Sequence, residues 1–219
     1  MDPREDEKRA AAEAAAVLIE DGMTVGLGTG STVAHFLPAL ARRALRLTCV
    51  ATSPATEQAA RALGLTVRPF DLLEGLDIAV DGADQIDPDL WLIKGRGGAQ
   101  TREKIVAASA RRFIVIASSD KLVDRLHPPV PVEVLMFGAA ATLRRLSAIG
   151  PFRRREAPPT PDGNVIVDYG GSVEDAGALA EALSLVPGVV GHGLFEPRLV
   201  SEALVGRGDG SVRRLARPG

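Results

Sequence analysis

Short apolar runs alternate with helical patterns through the first half of the chain, and this alternation constrains the fold more than any other sequence feature. The run at residues 24–27 leads through a glycine-rich loop into a stretch whose apolar residues recur at helical spacing. Strands that alternate with helices are typical of a parallel sheet. The sequence therefore predicts an α/β, Rossmann-like fold: an open, mostly parallel sheet with helices on both faces. The predicted strands are residues 24–27, 47–52, 66–70, 76–80 and 113–117, and the predicted helices are residues 3–20, 33–45, 55–63 and 101–111.

The order of elements changes near Pro128 and Pro129. From there the pattern predicts strand 130–136, helix 139–149, strands 152–156 and 165–168, helix 173–186 and strand 189–195. This βαββαβ order is the one used by ferredoxin-like folds, so we expect a small α+β ferredoxin-like domain at residues 129–201. Residues 1–128 and 202–219 would form the larger catalytic α/β domain, with a hairpin at 203–205 and 212–215 returning to it.

Composition and charge exclude several classes of function. The chain has 26 basic and 28 acidic residues and 4% aromatic residues, so it has neither the positive field nor the stacking surface of a nucleic-acid-binding protein. We therefore expect no nucleic-acid partner. We also expect no membrane association, because no apolar stretch approaches the about 18 residues that a membrane span needs. The single cysteine and the charged N-terminal segment favour a cytoplasmic protein.

The loop after the first predicted strand could bind a phosphate. Glycines at 26, 28 and 30 let backbone N–H groups turn inward, and the next helix points its first N–H groups at the same place. The spacing matches neither the dinucleotide-binding G-x-G-x-x-G pattern nor the P-loop pattern. The alternative is a tight turn in which Ser31 or Thr32 caps the helix, and this motif alone does not decide between the two.

Other polar clusters also follow predicted strands. Asp81 and Asp84 end one strand, where they could transfer protons, bind hydroxyl groups, hold a metal, or simply cap an Asp-Gly turn. Lys94 begins a second glycine loop that leads to Glu103 in the first turn of a helix, although a glutamate there often only compensates the helix dipole. Lys121 follows a further strand.

These clusters would all open on one edge of one parallel sheet. The three histidines, His35, His127 and His192, are far apart and lack metal-ligand spacing, so we expect no metal and no cofactor. Anion loops, lysines and carboxylates without a catalytic histidine or cysteine favour proton transfer on a small phosphorylated molecule.

Seven short stretches form a series along the chain: VGLGTGST at 25–32, VDGAD at 80–84, IKG at 93–95, TREKI at 101–105, PVEV at 131–134, PGVV at 187–190 and GLF at 193–195. With this series the sequence resembles the ribose-5-phosphate isomerase type A family from about Lys8 to Leu215. It departs from the family in three places: Gln85 stands where glutamate is common, Arg96 interrupts an often all-glycine run, and residues 53–55 replace a more polar stretch.

The resemblance implies interconversion of ribose 5-phosphate and ribulose 5-phosphate through an enediolate, in the non-oxidative pentose phosphate pathway, without a metal. Glu103 would be the base between C2 and C1, Asp81 and Asp84 would handle hydroxyl protons and ring opening, and Lys94 would stabilise the enediolate oxygen. The implied substrate-binding residues are Lys8, Thr29, Gly30, Ser31, Thr32, Gly82, Ala83, Gly95, Arg96, Gly97 and Lys121.

Two alternatives remain at this point. A non-catalytic sugar-phosphate sensor of related fold would need the anion loops but not the base, and the glutamate at 103 favours an enzyme instead. A sugar-phosphate deaminase or lactonase would be expected to place a histidine in the motifs, and none contains one. We further expect a homodimer or homotetramer, since small domains with apolar sheets often pair.

Overall fold

A computed structural model describes residues 3–216, which form two compact units. The first unit comprises residues 3–83, 102–121 and 197–216, and the second comprises residues 84–101 and 122–196. Residues 84–101 and 122–128, expected in the first domain, thus group with the second unit. Residues 1–2 and 217–219 of the expected first domain lie outside the described residues.

The helices and strands of the described residues mostly follow the sequence pattern. In chain order they are α1 (Pro3–Val17), β1 (Thr24–Leu27), α2 (Ser31–Ala41), β2 (Thr48–Ala51), α3 (Pro54–Ala62), β3 (Leu76–Gly82), β4 (Gln85–Ile86), β5 (Leu92–Ile93), α4 (Gln100–Ala108), β6 (Ala110–Ser118), β7 (Val130–Val134), α5 (Ala139–Leu146), β8 (Phe152–Arg154), β9 (Val165–Tyr169), α6 (Ala176–Ser184), β10 (Val189–His192), β11 (Leu194–Phe195), β12 (Glu202–Gly206) and β13 (Val212–Ala216).

The first unit is built on a sheet of order β13-β12-β6-β3-β1-β2, in which only the β12–β13 pair is antiparallel. One face packs against α1 and α2, where buried alanines such as Ala11 and Ala15 let α1 approach the sheet closely. On the other face lies α4: a Cβ on Gly26 would meet Val106 Cγ1 at 2.5 Å. The expected mostly parallel sheet with helices on both faces is therefore confirmed.

The second unit contains the expected βαββαβ order. Its four-stranded sheet, ordered β10-β7-β9-β8, is antiparallel throughout. Alternate valines of β7 and β9 pack against leucines of α5 and α6, which gives this unit its own core. A further three-stranded sheet, β11-β5-β4, was not predicted. The ferredoxin-like class is confirmed for this unit.

Two strand predictions were wrong. The strand expected at 66–70 makes only one bridge, from Val67 to Cys49, because Pro69 has no N–H to donate and a short 3₁₀ helix starts at Phe70. The strand expected at 189–195 is divided at Gly193, so that β10 pairs with β7 and β11 pairs with β5. Gly193 comes too close to the Lys94 carbonyl oxygen for any side chain, since a Cβ would lie at 2.2 Å.

We expect the thiol of Cys49 to be unreactive in the folded protein. Burial in β2 raises its pKa to about 11. At pH 8 about one such thiol in a thousand is ionised, against about one in ten for a thiol of pKa 9, so attack on Ellman's reagent should be slow. Since Cys49 is the only cysteine, absorbance measured with and without urea checks this directly. Rapid stoichiometric reaction of the folded protein at pH 8 would contradict it.

Candidate active site

The polar edge of the first unit lies where the sheet connections change direction. Along the chain β2 and β3 both follow β1, yet they lie on opposite sides of it. Ligands of open α/β sheets bind outside the carboxyl ends of the strands at such a reversal. Residues 28–32 leave the end of β1, and Asp81 and Gly82 end β3, so both sequence motifs meet at this point.

Asp81 is held in place by the loop after β1. Its Oδ1 accepts hydrogen bonds from the N–H of Thr29 at 3.0 Å and from the N–H of Gly82 at 2.7 Å. Gly28 donates its own N–H to the Val80 carbonyl at 2.9 Å, which brings the loop against β3. A Cβ on Gly28 would lie 2.0 Å from Asp81 Cγ, so this glycine is required by the buried carboxylate beside it.

A cluster of four hydroxyl groups supports the same loop. Thr29 Oγ1 lies 2.8 Å from Thr52 Oγ1, 2.9 Å from Ser53 Oγ and 3.1 Å from Thr56 Oγ1. Thr56 also donates to the Gly28 carbonyl at 2.9 Å, while Ser53 caps α3. Sequence reasoning missed Thr52, Ser53 and Thr56 as site residues, and it noted residues 53–55 only as a departure from the family pattern. A hydroxyl-rich turn directly after a predicted strand was the available signal.

The first turn of α2 can receive an anion. Gly30 precedes the helix with a φ of 124°, a conformation that side chains rarely adopt, and Gly30 and Ser31 are exposed. Thr32 is buried in the same turn. The first N–H groups of a helix lack intrahelical partners and carry partial positive charge, so they favour phosphate binding.

Both predicted lysines of the first unit are paired with carboxylates. Lys8 Nζ donates to Glu5 at 2.6 Å, and Glu5 also contacts His35 Nε2 at 2.8 Å, which links α1 to α2 and keeps the pKa of Glu5 below its usual value. Lys121 Nζ lies 3.2 Å from Asp120. Burial opposes charge on Asp120, but hydrogen bonds from Ser118 and Lys121 outweigh it and lower the Asp120 pKa.

Glu103 lies in the first turn of α4, where the sequence predicted it, and is only 6% exposed. Helix α4 begins in the second unit at Gln100, and its residues from Arg102 onward belong to the first unit. Ala83, which was also expected to bind substrate, is the last residue of the 3–83 segment of the first unit.

The second unit holds the remaining predicted residues, Asp84 and the loop that starts at Lys94. Asp84 Oδ2 accepts a hydrogen bond from the N–H of Arg96 at 3.0 Å. Lys94 is buried, with Nζ 5.5 Å from the centre of the Phe195 ring, in the range of a cation–π contact. Gly95 has a φ of 104°, and Gly97 follows Arg96 in the turn closed by the Gly98 N–H to Gly95 carbonyl hydrogen bond of 3.0 Å.

Gln85 explains one departure from the family pattern. Its amide oxygen accepts from the His127 N–H at 2.8 Å, and its Nε2 donates to the His127 carbonyl at 2.8 Å. A glutamate could accept the first bond but could not make the second while ionised.

Within residues 3–216 no group of three or more histidine, cysteine, aspartate or glutamate side chains is arranged to hold a metal ion. The same residues contain no helix long and apolar enough to cross a membrane.

Comparison with protein families gives two matches. Residues 48–210 match the family described as ribose 5-phosphate isomerase A, or phosphoriboisomerase A. Residues 4–64 also match the family described as the DeoR C-terminal sensor domain.

Individual proteins are similar over nearly the whole chain. Ribose-5-phosphate isomerase A of Roseiflexus sp. (strain RS-1) is 47% identical, over 94% of each protein. Among solved structures, ribose 5 phosphate isomerase A from Neisseria gonorrhoeae has a TM-score of 0.93 and 30% identity, covering 99% of this chain and 98% of that one. A D-ribose-5-phosphate isomerase in complex with phospho-erythronic acid has a TM-score of 0.92 and 36% identity, covering 98% and 99%.

We expect Gly28→Ala to destabilise the protein by about 1–3 kcal/mol, because the added methyl group collides with the Asp81 carboxylate. Gly82→Ala is the matched control, since beyond its chain neighbours Asp81 and Ala83 its methyl group would meet nothing nearer than the Ile116 carbonyl oxygen at 3.9 Å. Urea unfolding of both variants gives the free energies. Equal stability of the two variants would contradict the close approach.

Proposed function

The chain belongs to the ribose 5-phosphate isomerase A family and is an aldose–ketose isomerase, and we propose how its own side chains interconvert ribose 5-phosphate and ribulose 5-phosphate. The observation that carries the assignment of residues is the Asp81 carboxylate, fixed by two N–H groups at the reversal point of the sheet. An oriented carboxylate beside a helix N-terminus suits a substrate that combines hydroxyl groups with a phosphate.

The phosphate would bind at the start of α2. Support comes from the exposed Gly30 and Ser31 and from the hydroxyl cluster that fixes Thr29. Thr32, Lys121 and Lys8 complete the proposed phosphate site. On phosphate binding, Lys8 would give up part of its contact with Glu5, and Lys121 part of its contact with Asp120. Phospho-erythronic acid, with which the related isomerase forms a complex, carries a phosphate group, as ribose 5-phosphate does.

The proton transfers would be divided among the carboxylates. Asp81 and Asp84 open the sugar ring by moving the hydroxyl proton. Glu103 then removes the proton from C2, the electron pair forms the C1–C2 double bond, and the negative charge on O1 is stabilised by the Lys94 ammonium. A proton passes from O2 to O1 through an aspartate as Glu103 returns its proton to C1, which completes the ketose. Gly82, Ala83, Gly95, Arg96 and Gly97 would line the sugar.

A non-catalytic sugar-phosphate sensor is the second candidate. It is favoured by the match of residues 4–64 to a sensor-domain family. That match covers the phosphate loop but ends before Asp81, Lys94 and Glu103, so it concerns binding rather than proton transfer. A sensor would bind ribose 5-phosphate without exchanging its C2 hydrogen.

The expected homodimer or homotetramer and the cytoplasmic location remain proposals. Exposed apolar side chains on the second unit support assembly, above all Phe137, which is 88% exposed, with Leu135 and Met136 beside it. Light scattering during size-exclusion chromatography would give the mass, and a mass of 22.9 kDa would exclude both assemblies. The single free cysteine supports a cytoplasmic location.

We expect Glu103→Gln to lower kcat by about 10²- to 10⁴-fold, because glutamine keeps the size of the side chain but cannot take the C2 proton. Affinity for ribose 5-phosphate should change little. Calorimetry measures binding, and exchange of the C2 hydrogen into deuterated solvent follows the proton. Glu181→Gln, on the exposed side of α6, is the control. Normal turnover by Glu103→Gln would remove it as the base, and binding by the native protein without exchange would favour the sensor.

We expect isomerisation to survive exhaustive treatment with EDTA, since the proposed proton transfers use carboxylates and a lysine alone. The rate is measured before and after dialysis against the chelator. Loss of activity that a divalent cation restores would contradict this mechanism.

A further inference from the structure

One peptide bond in the Lys94 loop is held from both sides. The carbonyl oxygen of Gly95 accepts a hydrogen bond from Arg155 Nη1 at 3.1 Å. The N–H of the same peptide unit, that of Arg96, donates to Asp84 Oδ2 at 3.0 Å. Arg155 and Asp84 therefore act on opposite ends of one rigid, planar amide, and all four residues belong to the second unit.

Arg155 is itself fixed in position by the small sheet. It follows β8 directly, and its N–H donates to the Ile166 carbonyl at 3.0 Å, which continues the pairing with β9. Its guanidinium forms a bidentate ion pair with Asp168 on β9, in which Nε lies 2.9 Å from Oδ2 and Nη2 contacts Oδ1. Nη1 is left to face the loop, where it also donates to the Arg96 carbonyl at 2.9 Å.

The arrangement orients Asp84 through the backbone. A cation at the carbonyl end of a peptide polarises the unit and strengthens hydrogen bonding by its N–H end. The alternative, that the Arg96 side chain orients Asp84, is weaker, because that side chain is 82% exposed and its Nε is 3.7 Å from the carboxylate. Asp84 and Arg155 are only 24% and 22% exposed, so the interaction through the peptide is partly shielded from water.

We propose that Arg155, oriented by Asp168, is a positioning residue of the isomerase: it fixes the Gly95–Arg96 peptide and thereby the Asp84 carboxylate. This inference rests on the proposed role of Asp84 in proton transfer. Lysine cannot replace arginine here, since a single ammonium cannot match the planar fork that holds Asp168 and two carbonyls together.

The first test compares variants of Arg155 with a neighbour. Arg155→Ala and Arg155→Lys should lower kcat for ribose 5-phosphate by about 10- to 100-fold, the cost of a small misplacement of reacting groups, while KM changes less than about threefold. Added guanidinium ion should restore part of the Arg155→Ala rate. Arg154→Ala, an exposed arginine on β8, is the matched control and should behave as the native protein. Unchanged kcat in Arg155→Ala would overturn the proposal.

The second test asks whether Arg155 acts through Asp84. In an Asp84→Asn background, Arg155→Ala should lower kcat by less than about threefold, because the group that it positions is already lost. Multiplied losses in the double variant, together with no rescue by guanidinium, would show a general structural role and overturn the proposal. If Asp84→Asn alone is fully active, the proposed function of Asp84 fails instead, which separates the two failures.

Discussion

The contact between Gly28 and Asp81 is the constraint on which the polar edge of the first unit depends. A buried carboxylate at the end of β3 leaves no room for a side chain on the neighbouring loop, and a Cβ on residue 28 would lie 2.0 Å from it. Because the loop passes so closely, the Thr29 N–H joins that of Gly82, the next residue of β3, on one oxygen of the Asp81 carboxylate, and the two bonds fix its orientation. The path of the loop into α2, and so the direction of that helix N-terminus, follows from this approach.

The sequence pattern correctly predicted elements whose structure depends mainly on residues close together in the chain. The strand at 24–27 was predicted with its observed ends, because a short apolar run between a turn and a glycine loop is typical of a buried strand. Two further positions also match the prediction. Asp81 lies at the carboxyl end of β3, and Glu103 lies in the first turn of α4. The strand predicted at 66–70 was wrong because Pro69 cannot donate a hydrogen bond to a neighbouring strand.

Contacts between distant residues were beyond local patterns. The hydroxyl groups of Thr52 and Thr56 meet Thr29 only because β1 and β2 pair in parallel, with Leu27 opposite Ala51. Arg155 reaches a loop 60 residues earlier in the chain, and it can do so only after β8 and β9 have paired in their register. Arg155 is the last of three consecutive arginines, and its pairing with Asp168 is what distinguishes it from Arg153 and Arg154.

The distribution of charge separates structural from chemical roles. Lys8, Lys121 and Arg155 each have a carboxylate partner within their own unit, namely Glu5, Asp120 and Asp168. None of these partners is a proposed proton-transferring carboxylate, whereas Asp81 and Asp84 take hydrogen bonds from peptide N–H groups. The peptide N–H groups fix the direction of these carboxylates, while the exposed Arg96 guanidinium lies 3.7 Å from Asp84. A carboxylate held in this way keeps the fixed geometry that the proposed proton exchange with a sugar hydroxyl group requires.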